Sequence, residues 1–75
     1  MQLVPLELMA TGESGIVRDV EGTPEVVVRL REMGLREGAE IRMIKTGSPC
    51  LLAVNDQRFL CRIDKTATVW VELLS

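Results

Sequence analysis

Hydrophobic and polar residues alternate along several short stretches of the chain, as they do in half-buried β-strands. Isoleucine and methionine alternate with charged residues over 40–46, and valine and leucine alternate with polar residues and tryptophan over 68–74. A shorter stretch, 16–20, is also typical of a strand. Glycine or proline separates these stretches at short intervals, which favours short elements joined by turns. The pattern therefore predicts a small fold that is rich in β-strands.

Two apolar stretches in the second half of the chain predict a β-hairpin. Residues 50–54 and 58–63 flank an asparagine and an aspartate at 55–56, two residue types that favour turns. If this pair forms the turn, the two strands align with Cys50 opposite Cys61.

The segment 24–33 carries the start and stop signals of a helix. Thr23 can cap the N-terminus, and Pro24 suits the first helical position. Gly34 can adopt the left-handed conformation that ends a helix, and Leu35 can then fold back onto it. Three consecutive valines inside the segment favour a strand instead. We predict a helix, because two marked ends outweigh a cost of about a few tenths of a kcal/mol per valine.

The remaining segments complete a mainly β fold. Residues 3–9 are expected to begin extended, with a single helical turn opened by Pro5, and 64–67 form a short turn. The sum is about five strands with one inserted helix at 24–33. A small, strongly bent antiparallel barrel protects its strand edges with few residues, and we predict that fold as a single domain over 1–75. A ferredoxin-like fold is the alternative, although it needs a second convincing helix.

Composition and charge argue against three classes of function: nucleic-acid binding, catalysis and membrane insertion. The chain has nine basic and eleven acidic residues, a net charge of −2, and only Phe59 and Trp70 as aromatic residues. Nucleic-acid binding uses cationic surfaces and stacking, so we expect no nucleic-acid partner. Histidine is absent, which removes the commonest general base, and we predict that the protein is not an enzyme. The longest apolar run has five residues, far below the roughly 20 of a membrane span, so we expect no membrane insertion.

The two cysteines, Cys50 and Cys61, have three interpretations. They are two small apolar residues that face each other inside the hairpin, two of the four ligands of a zinc site, or a disulfide. The first is favoured, because no histidine can complete a metal site and too few cysteines are present for a disulfide-built secreted domain. We therefore predict no metal site, no cofactor and a cytoplasmic location.

Three motifs, taken in order, resemble the FeoA family, ferrous iron transport protein A. They are Leu6-x-x-Met9-x-x-Gly12-x-x-Gly15, Leu30-x-x-Met33-Gly34-Leu35-x-x-Gly38 and Leu60-Cys61-Arg62. The middle motif is the most specific, and the resemblance spans nearly the whole chain. It implies an SH3-like barrel with a helical insertion.

The resemblance also implies a function. The expected role is that of a small cytoplasmic accessory protein, which contacts a membrane ferrous iron permease with a cytosolic GTPase domain and supports or regulates iron uptake. Two alternatives remain open. One is a regulatory SH3-like domain related to those of iron-dependent repressors, and the other is a metal carrier or sensor that uses the two cysteines.

The turn that follows the predicted helix is the best candidate for a contact surface. Met33, Leu35, Arg36 and Glu37 are the candidate contact residues. Binding residues are often placed on turns, and an arginine can bind carboxylates with a fixed geometry. A purely structural role also explains part of this segment, because Gly34 can end the helix while Leu35 packs back onto it.

Overall fold

The structure is a computed structural model that describes residues 2–74. Within that range, six strands form one antiparallel sheet in the order β1-β6-β2-β3-β4-β5. The elements in chain order are β1 (Leu3–Pro5), a 3-10 turn (Leu6–Leu8), β2 (Ser14–Gly22), α1 (Pro24–Glu32), β3 (Glu40–Lys45), β4 (Cys50–Val54), β5 (Gln57–Cys61) and β6 (Ala67–Leu73). The prediction of a mainly β fold with one inserted helix is confirmed, and the sixth strand is the short β1.

The sheet surrounds one hydrophobic core and keeps two edges, so it is an open barrel. The first edge is β1, which has three residues, ends in Pro5 and leads directly into the 3-10 turn. The second edge is β5, which has five residues and no proline. The core is made of buried aliphatic side chains, the two cysteines and two methionines, and the described residues include no buried polar or charged side chain.

The predicted hairpin is confirmed in its register. Cys50 faces Cys61 across β4 and β5, and Leu52 faces Phe59. Asn55 adopts a positive φ of 57° in the turn, a conformation that asparagine tolerates better than most residues. β5 begins and ends earlier than the sequence indicated, because the chain leaves the sheet after Cys61.

Helix α1 is confirmed at both ends, although its N-terminus is held differently from the prediction. Pro24 occupies the first turn, but the side chain of Thr23 forms no capping hydrogen bond. At the C-terminus, Gly34 has a φ of +104°, and the Leu35 N–H donates to the Leu30 carbonyl oxygen at 3.0 Å. This is the backbone return expected of a Schellman ending, and it directs the chain toward the core.

The β2–β6 pair forms the centre of the sheet and is closely packed. A β-bulge between Val17 and Asp19 lets Val17 and Val20, three residues apart, both face the core. Gly15 lies against β6, and a Cβ atom there would lie 2.8 Å from the Glu72 carbonyl oxygen and would also collide with Val71. The missing side chain is therefore what allows the two strands to approach.

Candidate partner-contact site

The turn from Met33 to Gly38 connects α1 to β3 and is held against β2 by its backbone. The Gly38 N–H donates to the Val17 carbonyl oxygen at 2.7 Å, and the Val17 N–H donates to the Ala39 carbonyl oxygen at 2.9 Å. Gly38 has a φ of +92°, which glycine adopts without a steric penalty. The turn is therefore a fixed projection of the fold.

Leu35 does not belong to the contact surface, which corrects the sequence-based assignment. Its side chain is fully buried in the core. The backbone return that ends α1 directs this residue inward, so its side chain packs in the core and holds the turn against it. Met33 is half-buried and remains partly available at the surface.

Two charged side chains of the turn are exposed, as a contact surface requires. Glu37 accepts a hydrogen bond from the Arg31 guanidinium at 3.0 Å, in an exposed ion pair of the kind that contributes about 0–1 kcal/mol. Arg36 donates from Nε to the Arg31 carbonyl oxygen at 3.3 Å. Among the described residues, Arg36 has no carboxylate within 4.0 Å. Its guanidinium is thus available for an external anion.

Met33 also lines a second surface that sequence reasoning missed, a cleft of about 250 Å³ between α1 and the end of β5. Its walls are apolar and its rim carries charged groups. The lining residues are Val26, Arg29, Leu30, Met33, Leu60, Cys61, Arg62, Ile63, Asp64, Thr66 and Ala67. We call this surface the α1–β5 cleft. One sequence signal pointed to it, because Leu60 is an apolar residue at the outward position of a predicted strand.

The two cysteines are buried and free, in agreement with the favoured interpretation. The Cys50 thiol donates to the Cys61 carbonyl oxygen at 3.2 Å. Burial raises the pKa of Cys61 to about 12 and also raises the pKa of Cys50. Both sulfurs therefore stay protonated, whereas metal binding by cysteine requires the thiolate. Within residues 2–74, no three side chains among cysteine, aspartate and glutamate converge as metal ligands would.

Comparison with known proteins identifies the family. A family model described as the FeoA domain matches residues 4–73. The chain belongs to the FeoA family. This is a family of small domains associated with ferrous iron transport, and the resemblance of the three sequence motifs is thereby confirmed. A search of curated proteins gave no match.

Solved FeoA structures share the fold. A crystal structure of an iron uptake regulatory protein (FeoA) is 31% identical, with a TM-score of 0.89, and the match covers 97% of this chain and 100% of that one. Stenotrophomonas maltophilia FeoA, crystallised with zinc and described as a procaryotic SH3 domain protein, is 32% identical over 92% of this chain and 89% of its own, with a TM-score of 0.79. Chlorobium tepidum FeoA, solved by NMR, has a TM-score of 0.83 at 24% identity, and the match covers 96% of this chain and 71% of that one. The SH3-like fold is confirmed.

The α-helix of this FeoA domain has nine residues. Between residues 2 and 74, none of the helices combines the length and the hydropathy that a membrane span needs.

Proposed function

We propose that this FeoA domain is a small cytoplasmic accessory protein of ferrous iron uptake, which acts by binding the cytosolic GTPase domain of a membrane ferrous iron permease. The observation that carries the proposal is the FeoA family match over residues 4–73. The Stenotrophomonas relative supports it, because that protein is described as a candidate activating factor of ferrous iron transport. The accessory acts by contact rather than by catalysis.

The turn from Met33 to Gly38 is the first contact surface in this proposal. Its backbone is held by hydrogen bonds to β2, so binding there does not have to order a flexible loop. Arg36 offers a guanidinium that has no carboxylate partner within residues 2–74, and Glu37 offers a carboxylate that is half-exposed. To regulate transport, this contact must be stronger in one state of the permease than in another.

The metal-carrier alternative is less well supported. The thiols of Cys50 and Cys61 are buried, and their raised pKa values keep them protonated. A carrier would need thiolates that a metal ion can reach. No observation favours the repressor-related alternative over the transport role.

An amide NMR titration tests the proposed partner. The labelled protein is mixed with the GTPase domain of the permease from the same organism. We expect shifts of the amides from Met33 to Gly38, and weaker binding by Arg36→Glu than by the control Arg42→Glu, which changes the net charge equally on an exposed residue of β3. The absence of any shift at a partner concentration on the order of several hundred micromolar would contradict direct contact with that domain.

A further inference from the structure

The edge strand β5 presents a basic and apolar stripe to solvent. Successive residues of a strand point to opposite faces, so Arg58 and Leu60 share the outer face of β5, and Arg62 follows directly after the strand ends at Cys61. All three side chains are exposed, and Leu60 is 62% exposed. The edge of the sheet therefore presents one apolar side chain between two cationic ones.

The α1–β5 cleft lies on the other side of the same edge. Leu60 and Cys61 both line it, although neighbouring strand residues point to opposite faces. The cleft therefore opens at the edge of β5 instead of on one face of the sheet. Val26, Leu30 and Met33 supply the opposite, apolar wall from α1. A volume of about 250 Å³ is below the range typical of small-molecule pockets and suits one or two apolar side chains of a peptide.

The backbone of β5 is also available. Among the described residues, β5 pairs with β4 and with no other strand. An edge strand keeps a row of N–H and C=O groups that can pair with another extended chain. Addition of a strand to such an edge is a recurrent mode of peptide recognition, in which alternate side chains confer specificity.

We propose that the edge of β5 binds an extended segment of a partner protein as an added strand, with acidic side chains beside Arg58 and Arg62 and apolar side chains inside the α1–β5 cleft. The bound sequence alternates as Glu-Leu-x-Leu-Glu, because carboxylates four residues apart match the two arginines while the leucines between them face the cleft. This inference rests on the proposed function for the identity of the partner and names the chemistry that the partner offers.

The charges on the edge favour an acidic partner. The ion pairs of residues 2–74 are Arg18–Glu72 and Arg31–Glu37, so neither Arg58 nor Arg62 has a carboxylate within 4.0 Å. Hydrogen bonds from Thr66, with a smaller contribution from the charge of Arg62, lower the pKa of Asp64, so Arg58 is the arginine with the less compensated charge. Asp64, the carboxylate on the cleft rim, accepts hydrogen bonds from the Thr66 N–H and hydroxyl group. An arginine without an internal partner is well suited to bind an external carboxylate through two parallel hydrogen bonds.

The same charges disfavour a second copy of this chain as the occupant. Antiparallel pairing of two β5 strands centred on Leu60 would bring Arg58 of each copy close to Arg62 of the other, which follows the end of the strand. Like charges directly opposite each other destabilise a strand pair. An acidic strand reverses the sign of both contacts.

Peptide titrations followed by amide NMR test the proposal without the permease. The probe is acetyl-Glu-Leu-Thr-Leu-Glu-amide. One control, acetyl-Leu-Leu-Thr-Glu-Glu-amide, has the same composition without the alternation, and another, acetyl-Lys-Leu-Thr-Leu-Lys-amide, reverses the charge. We expect the probe alone to shift the amides of β5 and of Leu30 and Met33, and to slow amide exchange along the β5 edge about fivefold.

Matched variants locate the binding. Leu60→Asp and Arg58→Glu should each weaken binding of the probe peptide about tenfold. Leu8→Asp and Arg42→Glu are the controls, because Leu8 is 70% exposed in the 3-10 turn and Arg42 is exposed on β3, two strands away from β5. Unchanged melting temperatures for all four variants show that the domain stays folded. Equal binding of the probe and the blockwise peptide, or equal effects of the test and control variants, would overturn the proposal.

Three outcomes separate this inference from the proposed function. If the probe binds at β5 and the GTPase domain does not bind at all, the strand-addition site stands and the named partner is wrong. If the GTPase domain binds wild type and Leu60→Asp equally and the probe shifts no amide, the partner stands and the β5 site is wrong. If β5 amides shift with protein concentration in the absence of peptide, the edge is occupied by a second copy and the acidic-partner proposal is wrong.

Discussion

The β2–β6 pair and the β5 edge both carry exposed arginines, but within the described residues the arginine of the first region has a carboxylate partner and those of the second do not. In the β2–β6 pair, Arg18 donates to the Glu72 carboxylate at 2.7 Å, and the Trp70 Nε1–H donates to the Glu21 carboxylate at 2.9 Å. At the β5 edge, the arginines have no such partner among residues 2–74. The guanidinium of Arg18 and the indole N–H of Trp70 thus both find hydrogen-bond acceptors on the protein itself.

This difference shows which charges already have a partner within residues 2–74 and which do not. An arginine with an internal carboxylate on a neighbouring strand contributes to the fold, whereas one beside an exposed leucine on a free edge is available to another molecule. The two edges differ in the same way. β1 is short and contains Pro5, while β5 is longer and lies next to an apolar cleft. Proline and short length protect β1 from strand addition, whereas β5 has only charged side chains such as Arg58, which repel a basic strand but not an acidic one.

The largest effect is expected at the centre of the sheet. Gly15→Ala should destabilise the domain by about 3 kcal/mol, because its Cβ would meet the Glu72 carbonyl oxygen and Val71, and backbone cannot move aside cheaply. Thermal unfolding followed by circular dichroism measures this loss. The control is Gly12→Ala, whose Cβ meets no atom within 4 Å and which should cost about 1 kcal/mol through its positive φ. Equal melting temperatures for the two variants would contradict close packing of β2 against β6.

A smaller effect is expected where α1 ends. Gly34→Val should cost about 1–3 kcal/mol, since a β-branched residue is forced to a φ of +104° and its Cβ would lie 3.3 Å from Val54. Gly34→Asn is the control, because asparagine tolerates the left-handed region better, and it should retain most of the stability. Chemical denaturation compares the two. If valine and asparagine cost the same, the left-handed ending does not govern the position of α1.

The smallest effect concerns Cys61, which lies between the core and the α1–β5 cleft. Burial raises the pKa of its thiol from about 9 to about 12, so the folded state keeps a proton that the unfolded state loses in this window. The contribution of this thiol to the free energy of unfolding should therefore be fully present below pH 9 and should be lost as the pH rises from 9 toward 12. Denaturation between pH 8 and 10 should give a shallower decline for Cys61→Ala than for wild type. Identical slopes would show that the thiol is solvated.

Most of the fold could be predicted from local signals. The hairpin register followed from a two-residue turn at 55–56, and the bounds of α1 followed from Pro24 and Gly34, because both are encoded within a few residues of the chain. The contact surface was harder. Its place in a turn predicts that Leu35 is a contact residue, but burial depends on where the chain returns after the helix, and that return carries Leu35 into the core.

Residue type and spacing along the chain are enough to predict the alternation of the strands, the limits of the helix and the family. Which apolar residues are exposed, and which charges lack a partner among residues 2–74, depends on contacts between distant segments. Leu30 and Leu60 are distant in sequence and line one cleft, while Arg18 and Glu72 meet across the sheet. Such pairings are set by strand order, because it alone determines which residues of distant segments come within contact distance.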